Sequence, residues 1–454
     1  MAAPARVAAY EALRAVHQGH RDLPAALADS RRTLADERDR ALTADIVTGT
    51  LRWRSAIDFL VVTLSQRPLE RLDPEVLDIL RLSVYQLLHL DRVPASAAVD
   101  DGVSLARYAG RTSATGFVNA VLRSLTRTRD RLPWPERPAP DASMDQQAAW
   151  LAIVGSHPAW LVRRWIGAHG FEPAERWCRF DNTPAPLTVR ANRLRLTRDE
   201  LRARLAGEGV TTEPARFAPD GLVVTSGNPI TTGLAREGLF ALQDEASQVV
   251  PLLVGAAPGE TVLDLCAAPG GKTIALAAAM AGAGLLVAGD VRERRMRLLK
   301  QAVAAAGAPA RLVQIDGRHD APFQPVFDRV LVDAPCSGLG TLRRDPDIKW
   351  RRQERDLAVM AEGQQRLLRR AAAIVRPGGT LLYATCSSEP EENEAVIAAF
   401  LAERADFGPI DLRTTVGVES PLHRLIDDAG HLRTWPWRDG LEAFFAARLV
   451  RIRN

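Results

Sequence analysis

The sequence predicts a multidomain chain: an all-α helical domain, a small α+β subdomain, and an α/β domain built on an open, doubly wound parallel sheet. Three observations carry this reading. Up to about residue 128, apolar residues recur only at helical spacing. Beyond Pro251, strand-like runs alternate with helical runs rich in Ala, Leu and Arg, the pattern of strand–helix–strand units on a parallel sheet. Between the two lies a segment that mixes both patterns. The length of 454 residues agrees, at about 150 residues per domain.

In the first domain (1–128), Val7, Tyr10, Leu13 and Val16 fall on one helical face, as do Leu42, Ile46 and Val47. The same holds for Val76, Leu80, Val84 and Leu87, and for Phe117, Val121 and Leu125. Asp73-Pro74 supplies a cap residue followed by proline at the first helical position. The stretch 129–145 is Pro-rich and polar, has little to bury, and reads as a linker. Residues 146–250 alternate helical patches (160–166, 198–206) with short strand-like runs (187–191, 221–224). In 251–454 the strand-like runs are 261–266, 285–290, 312–316, 329–333 and 380–385.

Composition excludes several classes. At 46% hydrophobic and 25% charged residues the chain is ordinary globular material, not coiled coil or disordered polymer. No apolar run reaches the roughly 18 residues of a membrane span, so no membrane association is expected. Arg6, Glu11 and Arg14 interrupt what would be the apolar part of a secretory signal. The four cysteines (Cys178, Cys266, Cys336, Cys386) form no Cys-x-x-Cys pair, so neither a metal site nor a disulfide framework is expected, and a cytoplasmic setting with free thiols is. The net charge of +4 is spread along the chain and permits nucleic-acid binding without demanding it. The only lysines are Lys272, Lys300 and Lys349; general charge is met by arginine, which singles out the lysines as compact point charges.

The first strand of the α/β region ends in a glycine turn, Val-Leu-Asp-Leu-Cys-Ala-Ala-Pro-Gly-Gly-Lys-Thr (262–273), where a ligand can approach backbone near a helix start. A phosphate loop requires glycine where Cys266 stands, and a dinucleotide fingerprint requires more than Gly270-Gly271. S-adenosylmethionine, which carries no phosphate, remains, as does a plain tight turn if the motif stood alone. Three further strands end in acids: Asp290, placed to accept ribose hydroxyls; Asp316, placed to meet an adenine edge; and Asp333. Ligands of open α/β sheets bind at those carboxyl ends, which favours a nucleoside cofactor without phosphates.

Two cysteines sit at neighbouring strand ends: Cys336 in Asp-Ala-Pro-Cys-Ser-Gly and Cys386 in Tyr-Ala-Thr-Cys-Ser. Either alone reads as a buried small hydrophobe. Together, beside a cofactor turn, they suit chemistry at carbon-5 of cytosine. That carbon becomes nucleophilic only after a thiolate adds at carbon-6, with a carboxylic acid near ring N3 and the amine steadying the adduct. The basic stretch 343–355 reads either as a solvated loop and helix start or as phosphate contacts with Trp350 available for stacking. Arg292, Arg294, Arg295 and Arg297 read as a solvated helix face.

These motifs carry a resemblance. Stretches 47–53 and 116–123 make the front end similar to the NusB-type RNA-binding helical domain. Leu-Gln-Asp-Glu-Ala-Ser-Gln (242–248), the glycine turn, Asp-Ala-Pro-Cys-Ser-Gly, Arg-Arg-Asp-Pro-Asp-Ile-Lys-Trp (343–350), Arg-Pro-Gly-Gly (376–379) and Tyr-Ala-Thr-Cys-Ser resemble the RsmB-like (Sun/Fmu) class of RNA cytosine-5 methyltransferases. The resemblance implies a Rossmann-like catalytic domain (251–454), S-adenosylmethionine as cofactor, no metal, and small-subunit ribosomal RNA as partner of a monomeric enzyme. The subdomain 146–250 is expected to help bind RNA. Cys386 is implied as nucleophile and Cys336 as aid to product release. The loop residues Cys266, Ala267, Ala268, Pro269, Gly270, Gly271 and Lys272, with Asp290, Asp316 and Asp333, are implied to bind the cofactor, and Lys272 and Asp333 also to face the base. The C-terminal motif departs from the class: where the class carries Asp-Gly-Phe-Phe-x-Ala, this chain has Glu442-Ala443-Phe444-Phe445-Ala446-Ala447, which leaves the strand but removes the aspartate. Two rivals remain: the same chemistry on transfer RNA, and a non-catalytic RNA-binding or antitermination factor.

Overall fold

A computed structural model describes residues 2–319 and 323–453, in two compact units. The first comprises residues 1–184 with Leu342–Glu354; the second comprises Ala185–Thr341 with Arg355–Asn454.

The first unit is helical throughout. Seven helices, Pro4–His17, Leu23–Thr33, Glu37–Arg52, Arg54–Ser65, Pro74–His89, Ala95–Tyr108 and Thr115–Thr128, enclose one core that includes Leu13, Ile46, Leu60, Leu80, Leu105 and Leu122. Proline opens the fifth helix as expected, although Asp73 makes no side-chain cap. Helices Met144–Val154, Ala159–His169 and Phe171–Asp181 belong to this unit too, so the segment read as one subdomain over 146–250 is shared between the units. Two of the joining bonds are visible. Ser55 N donates to Ser156 Oγ at 3.0 Å, and Trp150 Nε1 donates to Pro135 O at 3.0 Å.

Within segment 342–354, residues 347–350 form neither a solvated loop nor an open stacking surface. Lys349 is 1% exposed, and its ammonium donates to Ser156 O (2.7 Å), Arg52 O (2.9 Å) and Asn182 Oδ1 (3.4 Å). Trp350 donates from Nε1 to Leu51 O at 2.6 Å. Asp347 accepts from Leu23 N at 3.2 Å. Burial pulls the Lys349 ammonium down to about 7, and its three acceptors are what keep a charge tolerable there.

The second unit holds two sheets, whose strands are numbered in chain order. β1 (Thr188–Ala191), β2 (Thr211–Pro214), β3 (Gly221–Ser226) and β4 (Phe240–Leu242) form an antiparallel sheet in the order β2-β3-β1-β4. Helix Arg198–Gly207 covers it through Leu201 and Leu205, packed with Val189 and Leu222. The larger sheet contains β5 (Thr261–Asp264), β6 (Leu285–Asp290), β7 (Arg311–Gln314), β8 (Phe327–Asp333), β9 (Val375–Thr385), β10 (Phe407–Ile410), β11 (Leu432–Arg433) and β12 (Phe445–Arg451). Its order is β10-β12-β9-β8-β5-β6-β7, with β11 paired to β12. The five strands from β9 to β7 are parallel, as expected. β12 returns antiparallel beside β9, so the sheet is mixed. That return covers what would be an unpaired edge.

Alternation along the central strands fills both faces. Leu331, Leu382 and Ala384 point into one core with Ile274, Leu276 and Leu299. Val330, Val332, Leu381 and Tyr383 point into the other with Leu367, Ala371 and Phe400. Chain order reverses between β5 and β8, which places the crevice of the fold at their carboxyl ends.

Lys349→Ala is expected to lower stability by about 1–3 kcal/mol, since it leaves buried acceptors unpaired. A urea titration checks this. The salt dependence of RNA binding is expected to stay unchanged, whereas loss of a phosphate contact would lower its slope by about one.

Candidate active site at the sheet switch point

The carboxyl ends of β5, β6, β8 and β9 supply the site. After Asp264 the chain enters the glycine turn, which contains a cis Ala268-Pro269 bond and Gly270 at φ +112°, the cap of helix Gly271–Ala279. Glycine is required at 270: besides the positive φ, an added Cβ would lie 3.1 Å from Leu299 Cδ1 and 3.3 Å from Ala302 Cβ. The turn is pinned from three sides. Ala267 N donates to Gly289 O (2.9 Å), Ala268 N donates to Asp290 Oδ2 (3.2 Å), and Arg190 on β1 reaches Gly271 O (2.5 Å) and Gln243 Oε1 (2.5 Å). Burial holds Arg190 at about 10.

Lys272, one residue into that helix, does not face a phosphate. Its ammonium lies 2.7 Å from Asp333 Oδ2 and 3.2 Å from Ser247 Oγ. Burial opposes the charge, but the Asp333 carboxylate outweighs it and holds the ammonium above its ordinary value. Ser247 lies in the 242–248 motif, on helix Glu245–Leu252 capped by Asp244. Sequence reading recognised the motif without assigning this contact.

Asp290 ends β6 at 4% exposure, accepting from Val291 N (2.9 Å) and facing Arg295 Nε (3.3 Å). Arg295 also donates to Ala268 O (2.6 Å), so this member of the expected solvated arginine face turns toward the turn; Arg297 stays outside and pairs with Glu293. Asp316 lies two residues beyond β7 and is clasped by Arg318 through Nε (2.9 Å) and Nη2 (2.7 Å), which holds the carboxyl at about 2. Arg318 was not foreseen. Asp264 is fully buried and accepts from Thr273 Oγ1 (2.7 Å), while its Oδ1 has no partner; burial pushes it up to about 7.

The two thiols meet. Cys336 Sγ and Cys386 Sγ are 3.3 Å apart, both half-buried. Hydrogen bonding from Cys386 and burial raise the Cys336 thiol well above its ordinary range. Burial and the surrounding acids likewise raise Cys266, so the Cys266 thiol is held neutral. Behind the pair, Gly340 N donates to Cys386 O (3.0 Å) and Ala443 N to Gly340 O (3.0 Å). The structure thus gathers Lys272, Asp333, Cys336 and Cys386 at the switch point, with the turn and Asp290 beside them and Asp316 farther along the sheet, beyond β7. No cluster of metal-ligand type occurs among the described residues.

The donor set suits a nucleoside without phosphates. Strand-end carboxylates accept hydroxyls and an amine but would repel phosphate, and the lysine of the turn is already paired with Asp333.

Comparisons with known proteins converge on one family. The family model described as 16S rRNA methyltransferase RsmB/F matches residues 251–450, the NusB family model matches 3–127, and the RsmF/B-like ferredoxin-like domain matches 157–231. The probable ribosomal RNA small subunit methyltransferase B of Bacillus subtilis is 35% identical over 412 residues, 90% of each chain. Ribosomal RNA small subunit methyltransferase B of Pseudomonas putida is 36% identical over 454 residues, 98% of each. Among solved structures, that of PH0851 matches with a TM-score of 0.79 at 27% identity over 99% of each chain. A methyltransferase homolog from Pyrococcus horikoshii matches at 0.57 and 27%, covering 69% of this chain and 100% of its own.

Two expectations follow. Asp290→Ala is expected to weaken S-adenosylmethionine by about 1–3 kcal/mol in calorimetric titration, the range for hydrogen bonds to a charged group. Asp264 sets a pH trend: its folded value of about 7 exceeds its ordinary 3.8, so the folded state binds the extra proton between them. Its contribution to stability is complete below that window and declines as pH rises through about 7. Asp264→Asn is expected to flatten this decline, read as melting temperatures at pH 5 and pH 8.

Proposed function

The chain belongs to the RsmB family of ribosomal RNA small subunit methyltransferases, S-adenosylmethionine-dependent enzymes of RNA, and from that premise we propose that it methylates carbon-5 of a cytosine in small-subunit ribosomal RNA through a covalent cysteine adduct. The observation that carries this reading is the pair of thiols 3.3 Å apart beside the Lys272–Asp333 ion pair. Methylation at an exocyclic nitrogen or a ribose hydroxyl has no use for two cysteines at one centre.

In this reading Cys386, as thiolate, adds to carbon-6 and the ring becomes an enamine whose carbon-5 is nucleophilic. The Lys272 ammonium meets ring N3, where negative charge collects as the thiolate adds, and the Asp333 carboxylate accepts from the exocyclic amine. When bound, S-adenosylmethionine supplies an electrophilic methyl group. The turn 266–272, with Asp290, Asp316 and Asp333, holds that cofactor; the acceptor-only carboxylates match hydroxyls and an amine. Cys336 assists removal of the carbon-5 proton: having lost its own proton to solvent it accepts that proton as a thiolate, the carbon-6–sulfur bond breaks as the ring double bond re-forms, and Cys386 leaves as a thiolate. The raised proton affinity of Cys336 favours the transfer.

The helical domain 1–128 and the segment 146–250, joined by 129–145, are assigned to RNA capture, and 251–454 to catalysis. A single chain brings together every side chain the reading uses, which supports a monomer. A cytoplasmic setting follows from the substrate.

The two cysteines make opposite forecasts. Cys386→Ala is expected to abolish both methyl transfer and any covalent RNA adduct. Cys336→Ala is expected to attack and methylate, then stall as a protein–RNA band that survives a denaturing gel and requires S-adenosylmethionine. A persistent band from Cys386→Ala instead would exchange the roles. Bisulfite mapping of RNA from cells with and without the gene tests the target: a 5-methylcytosine lost from small-subunit ribosomal RNA supports the reading, and one lost only from transfer RNA reassigns it.

A further inference from the structure

Each active-site cysteine is followed by a buried serine, and both serines are held by one carboxylate. Glu392, on the short 3₁₀ turn Pro390–Glu392, is 0% exposed. Its Oε2 accepts from Ser337 Oγ (2.5 Å) and from Ser387 Oγ (2.5 Å). Its Oε1 accepts from Ser337 N (2.8 Å) and from Gln364 Nε2 (2.9 Å). The two serine oxygens lie 3.2 Å apart, closely matching the 3.3 Å between the thiols one residue earlier. We propose that Glu392 is a positioning residue that fixes the Cys336 and Cys386 thiols against each other by clamping Ser337 and Ser387.

The chemistry of the network supports a clamp over mere filling. An ionised carboxylate only accepts, and here both oxygens are saturated by four donors, with no cation among the described residues at ion-pair distance. Both serine hydroxyls therefore point inward to the carboxylate. Their own oxygens accept from backbone two residues on, Leu339 N (3.4 Å) and Glu389 N (3.2 Å), which orders both loops. The remaining contacts anchor the clamp to the sheet: Tyr383 Oη on β9 donates to Glu392 O (2.6 Å), and Asn393 Nδ2 donates to Ser387 O (2.9 Å). Gln364 ties in the strand-end loop through Pro335 O (3.0 Å). A buried charge without a counterion costs free energy, and four hydrogen bonds are what offset it. It also disfavours a second negative charge nearby, and Glu392 is among the groups that raise the Cys336 thiol.

The inference rests on the cysteine roles proposed above, but its geometry can be tested apart from them. Glu392→Gln keeps the size and removes the double acceptor. It is expected to leave S-adenosylmethionine affinity and RNA KM unchanged and to lower kcat by about 10–100-fold, the factor for loss of charged hydrogen bonds; the melting transition falls, since buried donors lose an acceptor, but the full chain stays folded at the assay temperature. In the same protein, diamide, which takes up the two hydrogens as the Cys336–Cys386 bond forms, is expected to cross-link the thiols more slowly. Unchanged kcat and unchanged cross-linking would overturn the proposal, and so would a fall in kcat accounted for by lost cofactor affinity or by loss of folded protein at the assay temperature. If Glu392→Gln does not fold, the single arms carry the test. Ser387→Ala is expected to slow adduct formation and Ser337→Ala to slow adduct decay; absence of that split overturns the clamp. Slower cross-linking in Glu392→Gln combined with an active Cys386→Ala would retain the clamp and reject the cysteine roles.

Discussion

The chemistry of this protein depends on the register of one strand pair. β8 and β9 run parallel with Asp333 opposite Ala384, so both chains leave the sheet at the same end and side by side. Cys336 comes three residues after Asp333, and Cys386 two after Ala384. The thiols can meet at 3.3 Å only because the strands are aligned this way. What sets the alignment is packing: Leu331 and Leu382 enter one core, Val332 and Tyr383 the other. A one-residue slip would exchange the faces, sending Tyr383 into the core shaped around Leu382 and Leu382 into the core shaped around Tyr383, with overpacking in one and a void in the other. Hydrophobic burial, with no knowledge of the substrate, thus fixes the distance on which catalysis is proposed to rely.

The carboxyl edge of the sheet also concentrates acids, and the protein treats each differently. Asp333 is balanced by a lysine at 2.7 Å, and Asp316 by a bidentate arginine. Asp264 receives one hydroxyl and is pushed up by burial, while Glu392 is satisfied by four neutral donors. At one end of one sheet, the Arg318 clasp thus holds Asp316 down to about 2 while burial pushes Asp264 up to about 7. The choice of lysine at 272 follows from shape. A compact ammonium can touch Asp333 and Ser247 together from within a helix turn, where a planar guanidinium would need room for its fork. Lys349 repeats the argument, with three acceptors around a buried point charge.

Much of this was legible in the sequence because local rules govern it. Helical periodicity located four of the seven front helices, those opening at Pro4, Glu37, Pro74 and Thr115, and the five parallel strands fell close to their expected ranges. The glycine turn announced backbone approach to a ligand through Gly270-Gly271, and Cys336 and Cys386 were marked by strand-end position. Non-local facts stayed hidden. Lys349 and Trp350 sit in a run whose charge reads as solvated, yet their partners at Leu51, Arg52 and Ser156 lie far away in the chain. The division between compact units at 184, inside the segment 146–250, likewise has no local signal. Glu392 stands in an acidic stretch, Glu389–Glu394, that looks like any exposed helix start; only the fold reveals that this carboxylate faces inward.

The variant C-terminal motif shows how a constraint can be carried by backbone. Ala443 joins the cysteine loop through its amide, which donates to Gly340 O, and Gly340 passes the connection to Cys386 O. The side chain at 443 takes no part in those bonds, so replacing the glycine usual in the class with alanine leaves them possible. The demand falls on Gly340 instead. A Cβ there would lie 2.0 Å from Ala443 O and 2.8 Å from Cys386 O, which no rotamer change relieves because both atoms are backbone. Thr434 secures the other side, its hydroxyl donating to Glu442 O (2.6 Å) and accepting from Phe444 N (2.8 Å). The strand that follows then pairs with β9 from Phe445 opposite Thr385, one residue before the proposed nucleophile. The loop bearing Cys386 is therefore held on both flanks by main-chain bonds, which do not require glycine at 443, whereas the close approach at 340 does.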